Sequence, residues 1–236
     1  MINGKTTHQY ARDTDPTMTA LIACSLNTRG KMINFENLDK AIFEGVGIYD
    51  IPAINPESDI QIQDIEWIPW NYAKTAKEKD IKGVHFYVDD YQFARLWNRP
   101  DDYINLLSQF KAVCAPDFSQ YTDMPMATRI YNHYRKHWLA AYWQSHGIHV
   151  IPTICWSTPD TFDWCFDGEP ENSVISISSV GSRYVKKEFA DGCREAINRL
   201  NPIQILWYGD CPEEFDWNVV RIKPFYKDME ARINGR

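Results

Sequence analysis

The segment Gly83–Asp90 (G-V-H-F-Y-V-D-D) carries the clearest fold signal in the sequence. It is a short apolar run, rich in β-branched and aromatic residues, that ends abruptly in two carboxylates, and such a run predicts a buried β-strand. The same order recurs downstream: an apolar run, a polar or acidic stop, an amphipathic segment, and another apolar run. This alternation predicts an α/β fold built on a parallel sheet.

Eight apolar runs are predicted strands, and most of the later ones are separated by helical patterns. They are Tyr49–Ile54, Ile65–Trp70, Val84–Val88, Ala112–Ala115, His149–Cys155, Val174–Ser178, Ile203–Tyr208 and Val219–Ile222. Tyr91–Phe110 predicts two helical pieces separated near Pro100, and Pro125–His146 is the longest helical pattern. Length and strand number favour a degenerate (β/α) barrel-like parallel sheet, and an open doubly wound sheet is the alternative.

The chain divides into two parts of different character. Residues 1–47 predict an irregular N-terminal arm, in which Leu38–Phe43 forms one or two helical turns. Residues 48–236 predict a single α/β barrel-like domain that ends in a helix, Phe225–Ile233. One domain is the economical interpretation, because no linker-like stretch and no internal repeat interrupt the alternation of strands and helices.

Composition and charge exclude several classes of protein. The chain has 236 residues, of which 44% are hydrophobic and 24% charged, as in globular proteins, and its net charge is −7. This charge does not supply the basic field of a general nucleic-acid binder, although a local basic groove stays open. No signal-peptide pattern and no run of roughly 20 apolar residues is present. We therefore expect a cytoplasmic protein with no membrane partner, whose six scattered cysteines are free thiols.

Three aspartates follow predicted strands and are the first candidates for catalysis. In parallel α/β folds the loops after the C-terminal strand ends build the active site, so Asp89, Asp117 and Asp210 would meet at one rim. Carboxylates in this arrangement suit general acid–base catalysis, and Asp89 with Asp117 suits Mg²⁺ or Mn²⁺. The alternative is that each caps a helix N-terminus, where Asp is favoured.

The two adjacent carboxylates, Asp89 and Asp90, cannot both enter one site from a regular strand. Successive side chains on a strand point to opposite faces, so His85, Tyr87 and Asp89 form one row. In a barrel this mixed row would face inward, with the aliphatic row beneath the helices. We therefore assign Asp89 to the site and Asp90 to the cap of the following helix.

Six further residues are predicted to contact a ligand, five at the rim and Arg129 on the long helical pattern: Asn71, Ser119, Arg129, Trp156, Ser179 and Gly181. Trp156 would supply a stacking surface. Ser179–Ser182 lies between a strand and a helix, where backbone N–H groups can hold an anion such as phosphate, and an ordinary turn is the alternative. Arg129 has basic and tyrosine neighbours that suit phosphate contacts and base stacking.

A cysteine at a strand end is a candidate nucleophile. Cys155 would be activated if His85 or His149 lay beside it. The alternative is a buried free thiol, because cysteine is among the most buried residue types.

Two histidines on the longest helical pattern are candidate metal ligands. His133 and His137 are spaced i, i+4, so they share one helix face. The glutamate of H-E-x-x-H is absent, and Arg135 and Lys136 between them oppose a cation. We interpret this segment as a solvated basic face.

Several motifs between about residues 49 and 208 resemble a known family. They are Ile68-Pro69-Trp70-Asn71, Gly83–Asp89, Pro116-Asp117-Phe118-Ser119, Met124-Pro125, Arg129-Ile130-Tyr131, Ile151–Trp156 (I-P-T-I-C-W) and Ser176–Gly181. Together they resemble an uncharacterised family encoded by phages, plasmids and other bacterial mobile elements, known only as a domain of unknown function. The resemblance implies a bacterial or phage cytoplasm and supplies no catalytic residues.

These observations support two main functional hypotheses, since no motif identifies a reaction. The leading one is a cytoplasmic, phage- or mobile-element-associated enzyme that acts on a phosphorylated or nucleotide-type substrate. Its rim aspartates would be acid–base groups or metal ligands. The alternative is a non-catalytic protein that sequesters a ligand or engages nucleic acid or a host or phage protein. A third hypothesis is an assembly component of a larger complex.

Overall fold

A parallel sheet follows the chain from strand to strand in a computed structural model, which describes residues 36–211, 215 and 217–222. A short antiparallel hairpin precedes the sheet and consists of β1 (Gly45–Val46) and β2 (Ile51–Pro52). The parallel strands are β3 (Glu66–Pro69), β4 (Lys82–His85), β5 (Ala112–Cys114), β6 (Val150–Ile151), β7 (Val174–Ser178), β8 (Gln204–Tyr208) and β9 (Val219–Ile222). A bridge between Thr153 and Ser176 joins the segment after β6 to β7.

Five α-helices lie among these strands. They are α1 (Trp70–Ala73), α2 (Ala94–Asn98), α3 (Asp101–Leu107), α4 (Met126–Ser145) and α5 (Lys186–Leu200). Short 3₁₀ helices at Ile62–Asp64, Lys79–Ile81, Asp90–Gln92, Pro159–Thr161 and Ser182–Tyr184 complete the connections. Of the helices described, none is both long and apolar enough to span a membrane.

The predicted α/β class with a parallel sheet is confirmed, but closure into a barrel is not seen. Strand order follows chain order without the reversal that a doubly wound sheet requires. Among the described residues no strand pair joins β3 to β9, so the sheet is open at that point.

The sheet is nevertheless strongly curved. The ring of Tyr208 on β8 lies 4.9 Å from His85 on β4 and 4.7 Å from Tyr87 just beyond it. Strands in a flat sheet are about 4.8 Å apart, so β4 and β8 would be separated by about 19 Å. Only a sheet that folds back on itself brings these rings together, and the hydroxyls of Tyr87 and Ser176 hydrogen-bond across the same interior.

The two faces of β4 match the alternation in the sequence. Val84 and Phe86 are fully buried in the core beneath the helices, where Phe86 stacks on Trp143 of α4 at 5.8 Å. His85 and Tyr87 point to the curved interior instead. The predicted inward row is therefore confirmed for these two residues.

The N-terminal predictions fit less well. Leu38–Phe43 contains a turn rather than helical turns, and only Ile51–Pro52 of the predicted strand Tyr49–Ile54 pairs. Proline explains the short pairing, because it has no backbone N–H to donate to a ladder. Residues 1–35 of the predicted arm and the predicted helix Phe225–Ile233 lie outside the described residues.

Candidate functional site

Asp117 follows β5 and lies at the rim of the sheet beside the loop after β6. The Cys155 thiol donates a hydrogen bond to its Oδ1 over 2.9 Å. The pKa of the Asp117 carboxyl is raised from 3.8 to about 6, chiefly by burial and also by the nearby charge of Asp90, against the opposing effects of Cys155 and Lys136. A carboxyl group that titrates near neutral pH suits proton transfer.

Cys155 does not have the surroundings of a nucleophile. Burial raises the pKa of its thiol well above the ordinary value, and the charge of Asp117 adds to this effect. The hydrogen bonds of the Cys155 thiol go to Asp117 and the Thr153 carbonyl and not to a histidine: His85 stacks on Tyr87, and His149 contacts Glu57 at 3.2 Å. A thiol with a raised pKa is a poor nucleophile, so the alternative of a free thiol fits this position.

Asp90, rather than Asp89, connects the loops after β4 and β5. Its carboxylate accepts hydrogen bonds from the Ser119 hydroxyl at 2.8 Å and from the Ser119 backbone N–H at 3.1 Å. Asp90 is the first residue of the 3₁₀ helix Asp90–Gln92, whose N-cap position is Asp89 and which has no side-chain cap, so the prediction that Asp90 caps the following helix is wrong. Two loops that are 29 residues apart in sequence are fixed together at the rim by this contact.

Asp89 is exposed and belongs to a chain of polar side chains along the same rim. Gln92 Nε2 donates to Asp89 Oδ2 over 3.3 Å, and Asn71 Nδ2 donates to Gln92 Oε1 over 2.5 Å. The predicted ligand-binding residue Asn71 and the predicted catalytic residue Asp89 are thus brought together through one glutamine.

In the turn after β7, which was predicted to bind an anion, backbone N–H groups donate hydrogen bonds to acceptors within the turn itself. Val180 N–H donates to Ser178 Oγ and Ser182 N–H donates to the Ser179 carbonyl. Gly181 has a φ of +86°, a backbone conformation that favours glycine. These bonds fit the alternative of an ordinary strand-to-helix turn. Asp210 is exposed in the loop after the neighbouring strand β8.

Trp156 packs against α5 instead of standing free. Its ring is stacked on Phe189 at 5.4 Å and lies over Gly192, where an added Cβ would approach Nε1 to 2.0 Å. Stacking of a ligand on this ring would be limited to the part of the side chain that stays exposed.

Arg129 is a buried cation in the first turn of α4. Its Nη1 donates to Thr158 Oγ1 over 3.2 Å, and its Nε is buried without a hydrogen-bond partner. Two neighbouring groups, Gln120 Oε1 and Ser157 Oγ, are also buried and unpartnered. The salt bridges of the described part of the chain do not include Arg129. Hydrogen bonds of Arg129 link the loops after β5 and β6 to α4, because its backbone carbonyl accepts from Gln120 and its guanidinium donates to Thr158.

The interpretation of α4 as a solvated basic face is wrong at its centre. His133, Lys136 and His137 are all at most 2% exposed. Lys136 Nζ lies 2.5 Å from Glu169 Oε1, and His137 Nε2 lies 3.0 Å from the same oxygen. Burial alone would raise the pKa of Glu169, but the charge of Lys136 lowers it, so the carboxylate is ionised.

This buried cluster could hold a metal ion. Ligand atoms of His133, His137 and Glu169 all lie within 4.8 Å of one another. The helical spacing of the histidines was visible in the sequence. Glu169 was not recognisable as their partner, because it lies 32 residues beyond His137 in a turn.

Lys136 connects the buried cluster to the rim. Its Nζ donates to the Thr153 carbonyl over 2.8 Å, at the segment that precedes Cys155. The ammonium charge lowers the pKa of the Asp117 carboxyl, although burial dominates there. One buried lysine therefore influences both groups of titratable side chains.

Comparison with known proteins places this site within a family domain. The family described as "Domain of unknown function (DUF4417)" matches residues 43–226. The chain belongs to this family. The DUF4417 region contains every rim residue considered above and the whole buried cluster.

Two relatives of this DUF4417 protein are phage proteins. The Gene 1 protein of Mycobacterium phage L5 is 41% identical over 196 residues, which are 80% of this chain and 85% of the relative. The Gene 1 protein of Mycobacterium phage D29 is 37% identical over 197 residues, covering 80% of this chain and 72% of the relative. No solved structure matches the chain. The resemblance to a phage-associated family of unknown function is confirmed.

Proposed function

We propose that this DUF4417 protein is a cytoplasmic, phage-associated enzyme that acts on a phosphorylated or nucleotide-type substrate at the rim of its parallel sheet. The observation that carries the proposal is Asp117, a carboxyl group with a pKa of about 6 at the C-terminal end of β5. Asp117 is the general acid or base, and Ser119, held by Asp90, is a neighbouring hydrogen-bonding group.

Arg129 supports the choice of a phosphorylated substrate. It is a buried guanidinium with no carboxylate partner among the described salt bridges, and its Nε has no acceptor. It also lies in the first turn of a 20-residue helix that has no acidic residue there, where the helix dipole favours an anion. Ser157 has a buried hydroxyl without a hydrogen-bond partner in the adjacent loop, whereas the Thr158 hydroxyl already donates to the Asp160 carboxylate. A phosphate group would accept hydrogen bonds from Arg129 Nε and the Ser157 hydroxyl together.

A binding experiment tests this substrate class. Inorganic phosphate, ribose 5-phosphate and the four ribonucleoside monophosphates are titrated calorimetrically into the wild type and into Arg129→Gln. The matched control is Arg194→Gln, which removes an exposed guanidinium from α5. We expect about tenfold or greater loss of affinity in Arg129→Gln alone. Silence of the wild type toward the whole panel, or equal binding by Arg129→Gln, refutes the proposal.

Catalysis is tested separately with Asp117→Asn. Products of each bound compound are analysed by chromatography over a range of pH, with Mg²⁺, with Mn²⁺ and with EDTA. We expect wild-type turnover to titrate near pH 6 and Asp117→Asn to lose about 100-fold or more. Asp89 and Asp117 are the proposed ligands if Mg²⁺ or Mn²⁺ is required, and Asp210 is a further acid–base candidate. Turnover at the wild-type rate by Asp117→Asn excludes it as the acid–base group.

The alternative is that the protein binds a ligand without catalysis. A cleft near Asp89 supports this alternative. The cleft has a volume of about 620 Å³, and Tyr91 at its edge is 76% exposed. Its lining includes aromatic, amide and cationic side chains: Trp70, Asn71, Lys74, Tyr91, Arg95 and Tyr103. Exposed aromatic rings beside cations suit stacking of single-stranded nucleic acid.

Filter binding of a single-stranded oligonucleotide at several salt concentrations distinguishes the two functions. A binding protein should show a steep salt dependence and lose affinity in Tyr91→Ala and Lys74→Gln, without turnover of any nucleotide. A shallow or absent salt dependence removes nucleic acid as the ligand. Engagement of a phage or host protein stays a prediction.

A further inference from the structure

Two acceptor atoms in the buried cluster of α4 have no donor. Glu169 Oε2 and His133 Nδ1 are buried and make no hydrogen bond. The side chain of Glu169 is 0% exposed and His133 is 1% exposed, so neither atom is open to bulk solvent. A buried polar atom left unsatisfied costs about 1–3 kcal/mol, and such atoms are rare without a functional reason.

Backbone carbonyls fix which ring nitrogens carry hydrogen. His137 Nδ1 lies 2.8 Å from the Pro52 carbonyl oxygen, and His133 Nε2 lies 3.1 Å from the Asp167 carbonyl oxygen. A carbonyl only accepts, so both of these nitrogens must be donors. In the neutral rings the remaining nitrogens, His137 Nε2 and His133 Nδ1, are then bare acceptors.

These bare nitrogens converge on a carboxylate. His137 Nε2 is 3.0 Å from Glu169 Oε1, so a lone pair faces an anionic oxygen unless a cation or a proton lies there. The two imidazoles are adjacent, with ring centroids 4.3 Å apart. A histidine whose second nitrogen donates to a backbone carbonyl is the usual arrangement of a metal ligand.

We propose that His133 Nδ1, His137 Nε2 and a carboxylate oxygen of Glu169 bind one Zn²⁺ ion. Two imidazole nitrogens and one carboxylate would supply three of the four ligands of tetrahedral Zn²⁺, with a bound water as the fourth, whereas Mg²⁺ and Ca²⁺ prefer oxygen ligands throughout. This site is separate from the rim and does not depend on the proposed function.

The surroundings indicate a structural role for the ion. Pro52, which fixes His137, belongs to the N-terminal hairpin, and its neighbour Ile54 donates a hydrogen bond to the Gly168 carbonyl. Glu169 follows directly in the same turn. A Cβ at Gly168 would approach the Pro52 carbonyl oxygen to 2.6 Å, so hairpin, turn and helix are closely packed. One ion would tie α4 to the turn through its ligands, and the hairpin would be linked indirectly through the hydrogen bond between Pro52 and His137.

Lys136 is the competing cation. Its ammonium lies 2.5 Å from Glu169 Oε1 and is also fully buried. It satisfies that oxygen but not Oε2, and its positive charge opposes a dication. Removal of this charge should therefore tighten zinc binding, an effect that a purely structural lysine would not produce.

The test uses the full, tag-free chain. Metal content is measured by mass spectrometry after dialysis, and Co²⁺ is substituted for Zn²⁺ to record the absorption bands of tetrahedral nitrogen–oxygen coordination. We expect about one Zn²⁺ per chain, a melting temperature that falls by at least about 5 °C in chelator and recovers with Zn²⁺, and tetrahedral Co²⁺ bands.

Three variants locate the site. His133→Asn should weaken Zn²⁺ binding about 100-fold or more, whereas His149→Asn, at an exposed histidine, should leave it unchanged. Lys136→Met should bind Zn²⁺ more tightly than the wild type. If His133→Asn does not fold, the Co²⁺ spectrum of the wild type still shows whether a tetrahedral metal site is present. A wild type that neither retains Zn²⁺ nor is stabilised by it overturns the proposal, and so does equal binding by His133→Asn.

Discussion

Replacement of Asp117 by asparagine should make the protein more stable at neutral pH. The carboxyl group has a pKa of about 6 in the folded protein, against an ordinary value of 3.8. The folded state therefore holds this proton more tightly than the unfolded chain. Stability from this group is full below about pH 4 and falls as the pH rises through about 6. Asparagine keeps an acceptor for the Cys155 thiol without a charge to bury.

The magnitude follows from the difference between the two pKa values. At 1.36 kcal/mol per pH unit, the rise from 3.8 to about 6 corresponds to about 3 kcal/mol at pH 7.5. Near pH 4.5 the same calculation leaves about 1 kcal/mol, because the folded carboxyl is protonated there. Asp117 retains some contact with solvent, which reduces both values. We expect Asp117→Asn to be stabilised by about 1–3 kcal/mol at pH 7.5 and distinctly less at pH 4.5.

Urea denaturation followed by tryptophan fluorescence measures this difference. The two pH values flank the isoelectric point of about 5.4, where the protein would be least soluble. Asp123→Asn is the matched control, because its exposed carboxylate lies in the same loop. Exposed substitutions away from such features change stability by less than about 0.5 kcal/mol. An Asp117→Asn variant that is less stable than the wild type at pH 7.5, or equally stabilised at both pH values, refutes this account of the carboxyl group.

Three further substitutions test the packing and charge around the site by urea denaturation. In the presence of a chelator, Lys136→Met should cost about 3–5 kcal/mol, because it leaves Glu169 charged and buried, and Lys136→Met combined with Glu169→Leu should recover a large part of the loss. Gly192→Ala should cost about 1–3 kcal/mol despite the better helix propensity of alanine, because the new Cβ meets the Trp156 ring. Gly181→Ala should cost about 1 kcal/mol through backbone strain alone, since nothing lies within 4 Å of the added atom and φ is +86°. A neutral Gly192→Ala would mean that the tryptophan ring moves aside freely.

The part of the fold that could be predicted is the part in which local pattern and burial agree. On β4, Val84 and Phe86 alternate with His85 and Tyr87, and the structure buries the two rows on opposite faces. Curvature could not be predicted in this way. The contact between Tyr87 and Tyr208 depends on the twist accumulated over four strand-to-strand steps, which no local pattern encodes.

The sequence could predict which residues follow a strand and therefore lie at the rim, but it could not predict which of them contact one another. Asp117 was placed at a strand end from the sequence, and the structure confirms that location. Its partners come from other loops: Cys155 is 38 residues away, and the contact between Asp90 and Ser119 spans 29 residues. The charged face of α4 was assigned to solvent because helices are usually covered on one side. The hairpin and the Glu169 turn cover its second side.

Lys136 couples the charge of the buried cluster on α4 to the charge of Asp117 at the rim. Its ammonium lowers the pKa of Glu169 on one side and of Asp117 on the other, each against the effect of burial. A dication on Glu169 would compete with the ammonium for the carboxylate and would add positive charge below the rim. Added positive charge lowers the pKa of a nearby carboxyl, so Zn²⁺ in the buried cluster should shift the titration of Asp117 toward more acidic pH. Removal of the Lys136 charge shifts that titration in the opposite direction. If Asp117 is the acid–base group that we propose, the pH dependence of turnover should therefore shift when the cation in the buried cluster is changed.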